Sequence, residues 1–235
     1  MTVANRGKTD RTPPTAGLCG EPTRVQLPAG TALWRVHEAR FPANEYCPVP
    51  SENPFGGGRF DAIAKDFVPF LYAAFTPETA LCETVLRNLD TTEGSRQLSR
   101  REVEGRCLSR LTTTSELTLL SLASRPELWA VCQPDFWLVR AEALEYFHTR
   151  LWASWIRQHV EDVDGFRWIS AQDSPAISLV FYSGAAADAD VAPAVQLPAT
   201  IEESIALGDR AGAQYINIML APYGVTVAEP LADSE

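Results

Sequence analysis

The hydrophobic pattern of the chain switches between a period of two and a period near 3.6, and each switch marks an element. Ala32-Leu-Trp-Arg-Val-His37 alternates as a strand does, with Trp34 and Val36 on one face and Leu33, Arg35 and His37 on the other. Pro69 to Phe75 predicts a short apolar strand in which Phe70, Tyr72 and Ala74 share a face. Helical spacing takes over at once. Thr76 is a good N-cap, Pro77 suits the first helical position, and Glu78 complements the positive end of the helix dipole. Ala80, Leu81, Thr84 and Val85 then line one face, with Glu83 at its border, so its carboxylate is half desolvated.

Further on, residues 91–101 read as a polar loop, and Glu102 to Leu111 and Glu116 to Leu122 as two strands around a turn. Pro126 to Val131 predicts a short helix. Ala141 to Val160 predicts the longest one, with Leu144, Phe147, Leu151, Trp152, Trp155 and Ile156 as its core face. Phe166 to Ser170 is a strand that ends on a serine, Ile177 to Tyr182 a buried strand, and Tyr215 to Leu220 a last strand. Residues 1–28 read as a disordered arm, 29–225 as one domain without internal repeats, and 226–235 as a flexible tail.

The stretch from 38 to 58 is too rich in Pro, Asn and Gly for regular structure, and a loop this long inside a domain is more often a binding loop than filler. Gly56-Gly57-Gly58 is no dinucleotide fingerprint, because Asp61 occupies the third glycine position, and no Gly-Lys-Ser/Thr follows. What these glycines offer is close backbone approach to whatever Arg59 binds. Arg35 either looks into a pocket or is solvated on an edge strand, and spacing alone favours the second.

Composition adds limits. The chain has 235 residues, 46% hydrophobic and 21% charged, enough to bury a sizeable core in one globular domain. A formal charge of −10 argues against a nucleic-acid partner, whose phosphates select for Lys and Arg. Five widely spaced cysteines without a C-x-x-C pair suggest neither a disulfide framework nor a zinc site, and no third ligand joins His148 and His159, so no metal is expected. A reducing cytoplasm fits these features. No apolar run suggests a signal peptide or a membrane span.

Ser170 has no nucleophile elbow around it, and only one carboxylate, Glu83, has a context that suggests desolvation. Gly57-Gly58-Arg59, the strand ending Leu71-Tyr72-Ala73, and Thr76-Pro-Glu-Thr-Ala-x-x-Glu83 together resemble the RES domain family, named for an Arg, a Glu and a Ser. Leu33 to Val36 is similar to that family's opening strand and Asp164 to Ser170 to the segment that delivers its serine, so the resemblance runs from about Leu33 to Ser183. It implies an α+β fold, a mixed twisted sheet flanked by helices, related to ADP-ribosyltransferases. It also implies a toxin that destroys NAD as its substrate and is neutralised by a protein antitoxin, Xre-like in such systems.

By matching positions, the resemblance implies Arg59, Tyr72, Glu83 and Ser170 as the active constellation, with Arg35, Gly57 and Gly58 helping to bind NAD. Cleavage of the nicotinamide–ribose bond passes through a ribosyl cation. A carboxylate, a cation for the diphosphate and an aromatic face are the groups such a reaction uses. Water or phosphate could accept the ribosyl group. A transferase acting on a macromolecule and a non-catalytic NAD-binding module are the alternatives, and a homo-oligomer is left open. Phe60 and Asp61 stand where the family has Trp and Asn, and an acid beside Arg59 is expected to compete with a diphosphate.

Overall fold

A computed structural model describes residues 11–51, 56–87, 96–184 and 196–230. The strands are β1 (Arg24–Leu27), β2 (Ala32–Glu38), β3 (Phe70–Ala74), β4 (Arg96–Leu98), β5 (Arg106–Thr113), β6 (Leu117–Ser121), β7 (Gly165–Ile169), β8 (Ile177–Tyr182), β9 (Ala199–Ala206) and β10 (Val225–Val227). The α-helices are α1 (Pro77–Val85), α2 (Arg125–Ala130), α3 (Trp137–Arg140), α4 (Tyr146–His159) and α5 (Arg210–Met219). Eight strands form one mixed sheet in the order β1-β6-β7-β8-β3-β2-β5-β9, parallel only between β6 and β7, and β4 and β10 form a small parallel pair. The α+β class with helices on a mixed sheet is the one expected.

Alternation along the strands decides which core each residue enters. On one face, Phe166 and Trp168 of β7 and Val180 and Tyr182 of β8 pack with Leu128 of α2 and Trp152 and Ile156 of α4. Farther along that face, Ala74 and Leu108 pack with Leu81 and Val85 of α1 and Ala213 and Ile216 of α5. The opposite face gathers Leu27, Leu33, Leu71, Leu111, Leu179, Phe181 and Ala199 into a third cluster. Because Leu27 and Ala199 come from the two ends of the strand order, the sheet must curl.

At α1 the end signals act as read: Thr76 is extended and its Oγ1 accepts from Thr79 N at 3.2 Å, with Pro77 opening the helix. Thr76→Ala is expected to lower stability by about 1 kcal/mol, measured by urea denaturation, with the unfolding slope unchanged.

Several expectations need correction. The arm read as disordered contributes β1, paired antiparallel with β6, and Cys19 forms a disulfide with Cys132, 113 residues away; residues 1–10 lie outside the described part. Tyr215 to Leu220 is not a strand: Tyr215 to Met219 form the end of α5 with Leu220 as its C-cap, and the N-cap Asp209 accepts from Gly212 N at 2.7 Å. The strand there is β9, an exposed edge whose polar sequence carries no alternation. Within the predicted loop 91–101, residues 96–98 are β4 and 91–95 lie outside the described residues. Thr226 and Val227, placed in the tail, belong to β10, and 231–235 lie outside the described part.

The long helix starts at Tyr146, so Leu144 precedes it and is 72% exposed, and Phe147 is exposed too. Its buried face carries the polar Thr149 and Arg150 instead, for a reason that the site explains. No described helix is long and apolar enough to cross a membrane.

Candidate active site

β2 and β3 share a single registered pair, Trp34 opposite Ala74. Val36 and Tyr72, which would continue the ladder, instead line a cleft of about 230 Å³. Where β2 leaves β3, Cys47 takes its place, donating from N to Phe70 O at 2.7 Å and accepting from Phe70 N at 3.3 Å. Arg35, Arg59, Tyr72 and Glu83 all line the cleft, together with Gly57, Gly58, Arg87, Tyr146 and Trp168. Ser170 reaches it through Glu83.

Glu83 lies on the second turn of α1 and is half-buried. Its Oε1 accepts from Ser170 Oγ at 2.5 Å and from Ala171 N at 3.1 Å, which leaves Oε2 for a ligand. Ser170 Oγ in turn accepts from Gln172 N at 3.2 Å and Asp173 N at 2.9 Å. With its proton on Glu83 and its lone pairs on two amides, the serine is placed to orient Glu83. Asp173 pins the loop from the other side, accepting from Thr79 Oγ1 at 2.5 Å and Tyr223 Oη at 2.6 Å.

The Gly-rich turn is held by side chains from three elements. Asp61, 3% exposed, accepts from Ser51 Oγ (2.5 Å), Gly58 N (2.6 Å) and Tyr72 Oη (2.9 Å). Tyr72 Oη also accepts from Phe60 N at 2.8 Å, and Phe60 O accepts from Tyr182 Oη at 2.8 Å. From α4, Thr149 Oγ1 donates to Arg59 O at 2.6 Å, while Arg150 Nε donates to Gly58 O at 3.1 Å and its Nη2 to Gly56 O. This is why polar residues occupy the buried face of α4: each satisfies a carbonyl of a turn that makes no ladder.

The expectation that Asp61 competes for Arg59 is therefore wrong. Its three hydrogen bonds are to other groups, and it braces the turn. Gly57 and Gly58 line the cleft as expected, but Gly58 N is committed to Asp61. A Cβ at Gly58 would stand 2.5 Å from Asp61 Oδ1 and 2.6 Å from Tyr72 Oη, and Gly57 has a φ of +77°, so both positions demand glycine. Tyr72 has two roles: its hydroxyl closes the brace, and burial followed by the nearby Asp61 carboxylate pushes its pKa well up, so it stays a phenol. Its ring packs edge-on with Phe70 and Trp168 and walls the cleft.

Arg59 is 6% exposed, donates from Nη2 to Ala141 O at 3.1 Å, and has its guanidinium carbon 5.3 Å from the Tyr146 ring centroid. Its Nε is buried with no partner in the protein. Arg35 borders the cleft, yet its Nη1 donates to Ala43 O (2.6 Å) and Glu45 O (2.7 Å). Burial lowers its pKa to about 10, still above any physiological pH, so it is a cation that anchors the 43–47 loop over the cleft. Reading the sequence gave Asp61 the wrong role and missed Arg87, Tyr146 and Arg150; only helical spacing from Glu83 could have pointed to Arg87. Trp168 Nε1 and Ser178 Oγ, directly opposite each other on β7 and β8, are also buried without partners and line a small space beneath Glu83. Among the described residues no cluster of His, Cys, Asp and Glu could hold a metal ion.

A family model described as RES domain matches residues 32–202. No curated protein matches the chain. Among solved structures, a chain of the M. tuberculosis MbcT–MbcA toxin–antitoxin complex matches with a TM-score of 0.50 and 14% sequence identity, over 77% of this chain and 85% of that one. At that identity the likeness concerns the fold.

Proposed function

Because the chain belongs to the RES domain family, we propose that it is an enzyme that cleaves the nicotinamide–ribose bond of NAD and acts as a toxin restrained by a protein antitoxin. The observation that carries this reading is the Glu83 carboxylate, fixed through Oε1 by Ser170 and Ala171 with Oε2 left open, in a cleft that also holds Arg59. The C–N electron pair leaves with nicotinamide and neutralises its ring nitrogen, and positive charge develops on the ribose. A preoriented carboxylate lowers the barrier for such a charge, because it needs no reorganisation as the bond breaks. Water or phosphate then bonds to the ribosyl carbon, with water's proton released to solvent.

Other groups fit the same reading. Arg59, with a buried Nε unpartnered, offers a planar cation to the diphosphate, and the edge-on Tyr72–Trp168 wall suits a flat ring. The antitoxin is proposed from the kind of complex to which the structural neighbour belongs, and an Xre-like protein is the candidate.

Product analysis by mass spectrometry is the test. Purified protein with NAD should release nicotinamide together with ADP-ribose, or with a phosphorylated ADP-ribose when phosphate is supplied. Intact NAD after long incubation at high enzyme would sink the reading, and label retained on protein would point to a transferase.

A further inference from the structure

Neither Arg59 nor Arg87 is fully used by the protein. Both have a buried Nε without a hydrogen-bond partner, and burying such a donor is costly unless something else accepts from it. Both guanidiniums lie by one ring, with their carbons 5.3 Å and 5.8 Å from the Tyr146 centroid, and neither forms an ion pair with an acid among the described residues. Two such forks are a geometry suited to phosphate oxygens.

These residues also belong to two spaces. Arg59, Arg87 and Tyr146 line both the cleft described above and a second cavity of about 390 Å³. The first is smaller than a site for a ligand of drug size, which occupies roughly 300–1,000 Å³. It has room for one half of a dinucleotide. The second is bordered by Arg140, Leu144 and Gln172. Leu144 is 72% exposed and offers apolar surface that a flat base could cover.

We infer that the two spaces are lobes of one extended site: Arg59 and Arg87 clamp the diphosphate of a dinucleotide, and the outer lobe at Arg140, Leu144 and Gln172 takes its adenosine half. This rests on the reading of the inner cleft as the place of bond cleavage. Ala171, whose amide holds Glu83, also lines the outer lobe. Contacts to the remote half therefore help to set the carboxylate, the way in which binding energy away from the reacting bond raises turnover.

Two measurements test this on Arg87→Ala, Arg140→Glu and Leu144→Asp, the last two at exposed positions, with melting curves to confirm folding. In the first, kcat/KM is compared for NAD and nicotinamide mononucleotide, which has the same scissile bond and lacks the adenosine half. The wild type should favour NAD by at least about tenfold, and the variants should shrink that ratio. Equal kcat/KM for both compounds in the wild type, or an unchanged ratio in all three variants, overturns the inference. In the second, AMP binding is measured by calorimetry, and should weaken by about tenfold in Arg87→Ala and Leu144→Asp. Release of nicotinamide from neither compound would refute the cleavage reading alone, since AMP binding still decides the outer lobe. No AMP binding at millimolar concentration, or the same affinity in all proteins, overturns it.

Discussion

Glu83→Gln is expected to slow nicotinamide release from NAD by about 10²- to 10³-fold, the loss typical when a preoriented stabilising group is removed from a developing charge. The substitution is isosteric. An amide oxygen still accepts from Ser170 Oγ and Ala171 N, so the loop keeps its anchor and the melting temperature should stay near the wild type's. Only the negative charge is removed. If the effect falls on kcat with KM little changed, the carboxylate acts in the transition state; a change in KM alone would make it a binding group. Ser170→Ala should cost less, about tenfold, because Ala171 N still holds Oε1. A Glu83→Gln enzyme as fast as the wild type would remove Glu83 from the chemistry.

The second large effect is expected at Asp61, which braces the Gly-rich turn and Tyr72 and has no step of its own in the proposed chemistry. Asp61→Ala leaves Ser51 Oγ, Gly58 N and Tyr72 Oη without their shared acceptor in a buried place. The hydroxyls can turn to other partners but the amide cannot, so a loss of about 3 kcal/mol is expected. For a chain of this size that is a fall in melting temperature of roughly 6–12 °C. Activity should fall further than stability explains, because the turn that carries Arg59 loses its fixed shape. Asp61→Asn, which keeps one acceptor oxygen, should recover part of both. An Asp61→Ala protein that melts with the wild type would refute the brace.

How much could be read beforehand depends on where the information lies. The strand–helix unit from Phe70 to Val85 was legible because its signals are local: alternation, an N-cap threonine, and a proline one residue later. Tyr215 to Leu220 misled because five hydrophobic residues in six imitate a strand, while the decisive cap, Asp209, lies six residues upstream. β9 was invisible because it is an edge, with solvent on most of its side chains and hence no apolar alternation to find.

The site divides in the same way. Glu83 and Arg59 stand in a recognisable motif. Arg150 was hidden because its partners, the carbonyls of Gly56 and Gly58, have no side-chain signature, and a helical arginine reads as surface. The pairing of Cys19 with Cys132 spans 113 residues and carries no spacing rule.

The lone Trp34–Ala74 rung has a last consequence. It makes the eight strands two plates, one of five strands ending at β3 and one of three beginning at β2. Tyr72, Trp168 and Ser170 ride on the larger plate and Arg35 on the smaller, and α1, which packs on both, carries Glu83 along the seam. The cleft thus lies along the line where the two plates meet, with walls drawn from both, and the fit of a ligand depends on α1, the element that bridges them.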